Sequence, residues 1–146
     1  HRWYTPDGTK FDLVPYGDHL GASGNQWDEI AARDAVSTIV DGVEVRHVSA
    51  TGFLVLKWAA YADRGASNPV GSEDIEDILG VLASRPTILG EITAASAQVR
   101  TYLRDCATAL ISHPDFADAL DAHLGPAFNR AAVVASVRTT LKTIAE

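Results

Sequence analysis

The run ATGFLVLKWAAYA, from Ala50 to Ala62, constrains this chain more than any other stretch. Ser49 precedes it and suits an N-cap, where a hydroxyl accepts a backbone N–H of the first turn. Phe53, Leu54, Leu56, Trp58 and Ala60 make the helix apolar over much of its circumference. Such a helix has no natural solvent side and belongs at the centre of a fold. Lys57 is the exception inside it. A lysine there either snorkels from the helix flank or serves as a cation aimed at a phosphate or an acidic cluster. Asp63 and Arg64 fall at the C-terminal end, where Arg64 complements the helix dipole.

A second helix follows the loop from Gly65 to Gly71. Ser72 caps it, acids fill its first turns, and Ile75, Ile78, Leu79 and Leu82 form its buried stripe. Asp74 and Asp77 are three apart and share a face. They read either as ordinary N-terminal helix charge or as partners for Lys57 or Arg64. Arg85-Pro86 ends the helix, because proline disfavours helix in the residue before it. The rest, 86–146, has helical patterning over 88–112, 115–124 and 127–145. The breaks are His113-Pro114-Asp115 and Gly125-Pro126. Leu103, Ala107, Leu110 and Ile111 line one of these helices, and Val133, Val134, Val137, Leu141 and Ile144 another. This half reads as a helical cap or as a partner-binding surface. Arg100, Arg104, Arg130, Arg138 and Lys142 are too dispersed to form a nucleic-acid patch.

The first half carries the strand signals. Pro6-Asp7-Gly8 supplies a turn, and Arg2-Trp3-Tyr4 is expected to hairpin through it into the stretch from Gly8 to Gly17. Phe11, Leu13 and Pro15 alternate with Lys10, Asp12 and Val14, a period of two. Asp12 is a carboxylate among aliphatics. It is either a solvated strand residue, a local salt-bridge partner of Lys10 or Arg2, or an acid compensated by a metal. Residues 18–25 are glycine-rich and polar and suit a loop, either a connector or a substrate-side loop. Residues 27–36 are short and ambiguous. Asp41-Gly42, between 38–40 and 43–48, is the strongest hairpin signal in the chain. Val43, Val45 and His47 share one side of the second strand, and Glu44, Arg46 and Val48 the other. His47 reads as a strand-end filler before it reads as a catalytic base.

Composition narrows the class. A length of 146 residues suits one domain, and 47% hydrophobic content excludes a disordered chain. No apolar run approaches the ~20 residues of a membrane span, so no membrane partner is expected. The one cysteine, Cys106, permits no internal disulfide; it reads as a core filler, and a cytoplasmic location is expected. A net charge of −7 gives no general attraction to nucleic acid. The histidines form no zinc-type pair. The chain contains no methionine, so His1 is not an initiator, and an incomplete reading frame is the expectation.

The run GTKFDLVPYG behind HRWYTPD resembles the third-carboxylate strand of the nucleotidyltransferase fold, and more narrowly the predicted nucleotidyltransferases related to the AbiEii/AbiGii abortive-infection toxins. LVLKWAAYADRG is similar to that family's lysine-bearing helix. The resemblance covers roughly residues 1–85 and implies that Asp12 is a metal carboxylate with a catalytic role. It further implies that Lys57, joined by Arg64, contacts the triphosphate or braces the metal site. Asp74 and Asp77 match the family's two acids in the next helix, but Glu73 stands where a lysine is expected. The family's glycine-serine loop and aspartate pair have no counterpart here.

The expectation is therefore an α+β chain. A partial nucleotidyltransferase-like mixed β-sheet occupies 1–85, and a helical C-terminal extension occupies 86–146. The implied activity is Mg²⁺-dependent transfer of a nucleoside monophosphate from a nucleoside triphosphate (NTP) to an acceptor such as tRNA or protein, with an antitoxin as a further partner. One carboxylate strand is insufficient, so the chain alone is expected to be inactive. The alternative is a non-catalytic module that binds a protein partner through its helical half.

Overall fold

The computed structural model describes residues 2–12, 25–125 and 130–146, with the backbone alone at Phe11 and Asp12. In chain order its elements are β1 (Arg2–Tyr4), β2 (Lys10–Asp12), α1 (Gln26–Arg33), β3 (Val36–Val40), β4 (Val43–His47) and α2 (Ala50–Asp63). Then come α3 (Glu73–Ser84), α4 (Ile88–Ala94), α5 (Ala97–Ile111), α6 (Phe116–His123) and α7 (Arg130–Ala145). The class is α+β with a helical C-terminal part. The strand over 13–17, the loop over 18–24 and Pro126 lie outside the described residues.

Helix α2 is central, as its composition requires. Ser49 Oγ accepts from Gly52 N at 3.1 Å and starts it. Thr51, Leu54, Val55, Trp58, Ala59 and Tyr61 are buried along one broad face, and Phe53, Leu56, Lys57 and Ala60 on the other side are half-buried. The helix packs against α1, α3, α4 and α5. The same core continues through the α3 stripe of Ile75, Ile78, Leu79 and Leu82 to Leu103, Leu120, Val137 and Leu141 of the later helices. Each of these large side chains contributes roughly 1.5–3 kcal/mol by leaving water. One core thus spans residues on both sides of Pro86.

Two helical details differ from the sequence pattern. Residues 27–36 gave no clear period, yet α1 forms there. Asn25 Oδ1 accepts from Trp27 N at 3.1 Å, Asp28 and Glu29 sit in the first turn, and Arg33 sits in the last. Trp27 then stacks on Tyr102 of α5, with centroids 4.2 Å apart and planes inclined by 27°. Capping and one tertiary stack stabilise a helix too short to display a period. The run expected as one helix over 88–112 is two, α4 and α5. Ser96 Oγ caps the second through Val99 N at 3.3 Å, and Arg100 Nη1 bonds to the carbonyls of Thr93 and Ala95 at 3.3 and 2.5 Å. The polar groups exposed by the break are thereby satisfied.

The expected mixed sheet is replaced, among the described residues, by two separate antiparallel ribbons. Arg2, Trp3 and Tyr4 face Asp12, Phe11 and Lys10. Val36 through Val40 face His47 through Val43. The turns explain the difference. Gly8 N–H donates to Thr5 O at 2.9 Å across the first. Asp41 and Gly42 have φ of 50° and 81° at the second, the left-handed pair of a type I′ turn. Tight turns join antiparallel neighbours only, whereas a parallel pair needs a crossover. Every residue of β3 and β4 is exposed.

Candidate functional site

The sequence-predicted residues on the helices converge at the join between α2 and α3. Lys57, Tyr61 and Arg64 follow at i, i+4 and i+7, so they share one side of α2. Gly65 then takes φ of 95°, a conformation that favours glycine, and turns the chain away. Ala66 N–H closes the end by donating to Tyr61 O at 3.2 Å. The loop is pinned at its middle, where His123 Nε2 donates to Pro69 O at 2.8 Å. Ser72 Oγ restarts the helix by accepting from Ile75 N at 3.3 Å, which sets Asp74 in the first turn of α3.

Asp74 is the hub. Its side chain is 3% exposed, yet its carboxylate is compensated twice, by Lys57 Nζ at 3.3 Å and by the Arg64 guanidinium. Lys57 Nζ also reaches Asp77 Oδ2 at 2.5 Å and lies 5.7 Å from the centre of the Phe53 ring. Lys57 thus pairs with both acids of the first turns of α3. The groups differ in their contact with water. Lys57 is 28% exposed, Asp77 46% and Arg64 68%. The buried end is therefore neutralised internally, while the guanidinium and one carboxylate border solvent.

Beside this cluster lies a cleft of about 400 Å³, lined by Tyr61, Arg64, Asn68, Ser72, Glu73 and Asp74 among others. Among the described residues the buried Tyr61 hydroxyl has no hydrogen-bond partner, and burial raises its pKa. Tyr61, Asn68 and Ser72 were not singled out as site residues from the sequence. The spacing from Lys57 to Tyr61 to Arg64 is the signal that could have found Tyr61.

Asp12 occupies β2 opposite Arg2, and its side chain lies outside the described set, so its distance to Lys57 is not part of this geometry. Among the described residues no three His, Cys, Asp or Glu side chains are grouped to hold a metal ion. Magnesium takes several oxygen ligands. Asp74 and Asp77 instead face ammonium and guanidinium groups. The described residues alone thus do not fit a magnesium ion.

The other candidates are structural. His47 Nδ1 donates to Val48 O at 2.9 Å, which leaves Nε2 to accept from Thr38 Oγ1 at 2.9 Å. These bonds hold the end of the β3–β4 ribbon. Burial pushes the Cys106 thiol up to about 11, opposed by a hydrogen bond from Tyr102, so it is a poor nucleophile. Among the described residues no helix is long and apolar enough to cross a membrane.

No protein-family model, no curated protein and no solved structure matches the chain.

Proposed function

We propose that this chain belongs to a nucleotidyltransferase-like protein, with the α2–α3 join as a wall of its nucleotide site. The observation that carries this reading is the convergence of Lys57, Arg64, Asp74 and Asp77. The resemblance selected these positions from separate stretches of sequence, and they meet in one ion-paired cluster. In the reaction, an acceptor hydroxyl attacks the α-phosphorus of an NTP. The α–β phosphoanhydride bond breaks, pyrophosphate leaves, and the hydroxyl proton passes to a base. Arg64, the more exposed cation, is placed to meet phosphate oxygens. Lys57, held between two carboxylates, acts as a positioning residue for the α3 end. The acceptor is a tRNA end or a protein hydroxyl. No step is assigned to magnesium, because Asp74 and Asp77 are occupied by cations.

One observation favours the other reading. The cluster balances its own buried charge without any ligand, as a purely structural network would. In that reading the helical half binds a protein partner. The discriminating experiment uses the protein as its gene encodes it, with labelled NTPs, Mg²⁺ and total tRNA. Label should appear on RNA or on protein and should fall at least ~100-fold in Asp12→Asn, a change that keeps shape and removes charge. Absence of transfer with every NTP, or full transfer by the Asp12→Asn protein, would leave the interaction module as the surviving reading.

A further inference from the structure

The β3–β4 ribbon presents apolar side chains that the core does not use. The register places Val36, Thr38 and Val40 on one face with Val43, Val45 and His47. Val36, Val40, Val43 and Val45 are 43%, 52%, 63% and 41% exposed. Edge strands with such composition usually carry a device that controls what pairs with them. On β3 the segment VSTIV has no charge. On β4 the segment VEVRH has Glu44 and Arg46 flanking Val45 symmetrically.

That symmetry coincides with the hydrogen-bonding parity of the strand. The residues that close a two-residue hairpin loop, here Val40 and Val43, exchange both ladder bonds, and bonded pairs then alternate. Val43, Val45 and His47 therefore turn their backbone groups toward β3. Glu44 and Arg46 turn theirs outward, to the side of β4 that no described strand occupies. A strand pairing antiparallel with its own copy about Val45 places Glu44 opposite the partner's Arg46. This is the register in which the outward N–H and C=O groups of both strands meet. It also sets Val45 against the partner's Val45 at a non-bonded position, where side chains approach most closely. Glu44 has no ion partner among the described residues. Arg46 Nη2 donates to Ala32 O at 3.0 Å and Arg33 O at 3.5 Å, and no described residue takes the other donors of its fork, which suit a carboxylate.

We propose that β4 is a self-recognition edge, on which a second copy of this chain adds antiparallel about Val45, joining the two ribbons into one four-stranded sheet with a continuous valine face. This inference is independent of the nucleotidyltransferase reading. Ribbon pairing alone buries less than the ~1,200 Å² of a stable interface, so the association is weak and reversible.

Sedimentation velocity across a concentration series tests it on the intact chain. A reversible dimer is expected. Glu44→Arg sets like charges opposite each other at both symmetric positions and should weaken it about tenfold. Arg46→Glu should do the same. The two variant chains, each weakened alone, should associate with each other when mixed, because every pair then joins opposite charges. Glu44→Pro removes an outward N–H without taking a β3–β4 ladder bond and should abolish association, with the helical circular dichroism and melting retained as proof of folding. A chain that stays monomeric throughout overturns the proposal. So does a dimer indifferent to Glu44→Arg and Glu44→Pro, since pairing would then use another surface such as the β3 edge.

Discussion

Replacing Asp74 by alanine tests whether burial or proximity governs the ion cluster. Breaking a buried pair costs roughly 3–5 kcal/mol when it strands a charge away from water. Here the stranded charges have alternatives: Lys57 keeps Asp77 at 2.5 Å, and Arg64 is 68% exposed. The expected cost of Asp74→Ala therefore drops to about 2 kcal/mol. Lys57→Ala works the other way, leaving the 3%-exposed carboxylate with Arg64 alone and removing a packed alkyl stem. It should cost about 2–3 kcal/mol. Asp77→Ala, which removes a half-exposed group, should cost under ~1 kcal/mol. For a chain of this size about 2 kcal/mol lowers the melting temperature by roughly 4–8 °C. Thermal and urea melts of the three variants give the ranking. Double-mutant cycles should find stronger coupling for Lys57 with Asp74 than with Asp77. The Lys57–Asp77 distance is the shorter of the two. If Asp77→Ala proves as costly as Asp74→Ala, proximity outweighs burial and the argument is wrong.

Other variants probe the rest of the molecule. The Cys106 thiol, pushed from 9.0 to about 11, should react with a disulfide reagent at pH 8 about 100-fold more slowly than in the urea-unfolded chain. Equal rates would show that Cys106 is not shielded. The same shift makes stability fully present below pH 9 and lost as pH rises toward about 11, because the unfolded thiol ionises first. Cys106→Ala should flatten that slope in alkaline melts. Trp27→Ala, which removes the stack on Tyr102, should cost about 3–5 kcal/mol by urea denaturation, and a loss under 1 kcal/mol would show that α1 is not anchored there. Ser96→Ala should cost about 1 kcal/mol, and an unchanged melt would mean that Arg100 alone holds the α4–α5 break.

Much of the helical architecture was legible because its residues carry period and punctuation together. Ser49 and Ser72 announce α2 and α3, and the stripe from Ile75 to Leu82 is buried as its spacing requires. The pairing of Asp74 with Lys57 or Arg64 could be anticipated because a lysine in an apolar run needs a counterion, whereas the burial of Asp74 has no signal in its own helix turn. The arrangement of the strands was not legible. Alternation states which residues share a face, but it does not state which strands are neighbours, so Asp41-Gly42 revealed a hairpin without revealing that it stands apart from β1 and β2. Helix α1 escaped for another reason. Its identity rests on Asn25 and on a stack with a residue far along the chain, and a local window contains only the first.

The packing of α2 against four other helices has a kinetic consequence. A helix enclosed by α1, α3, α4 and α5 cannot open by lifting away from a single neighbour. Its amides exchange with deuterium only when the whole assembly comes apart, so their protection reports the global unfolding free energy. The ribbons, joined chiefly to themselves, open by local fraying and exchange far sooner. In a labelling time course the molecule should divide into a late-exchanging helical centre and early-exchanging strands, reversing the common pattern in which a sheet is the last element to yield.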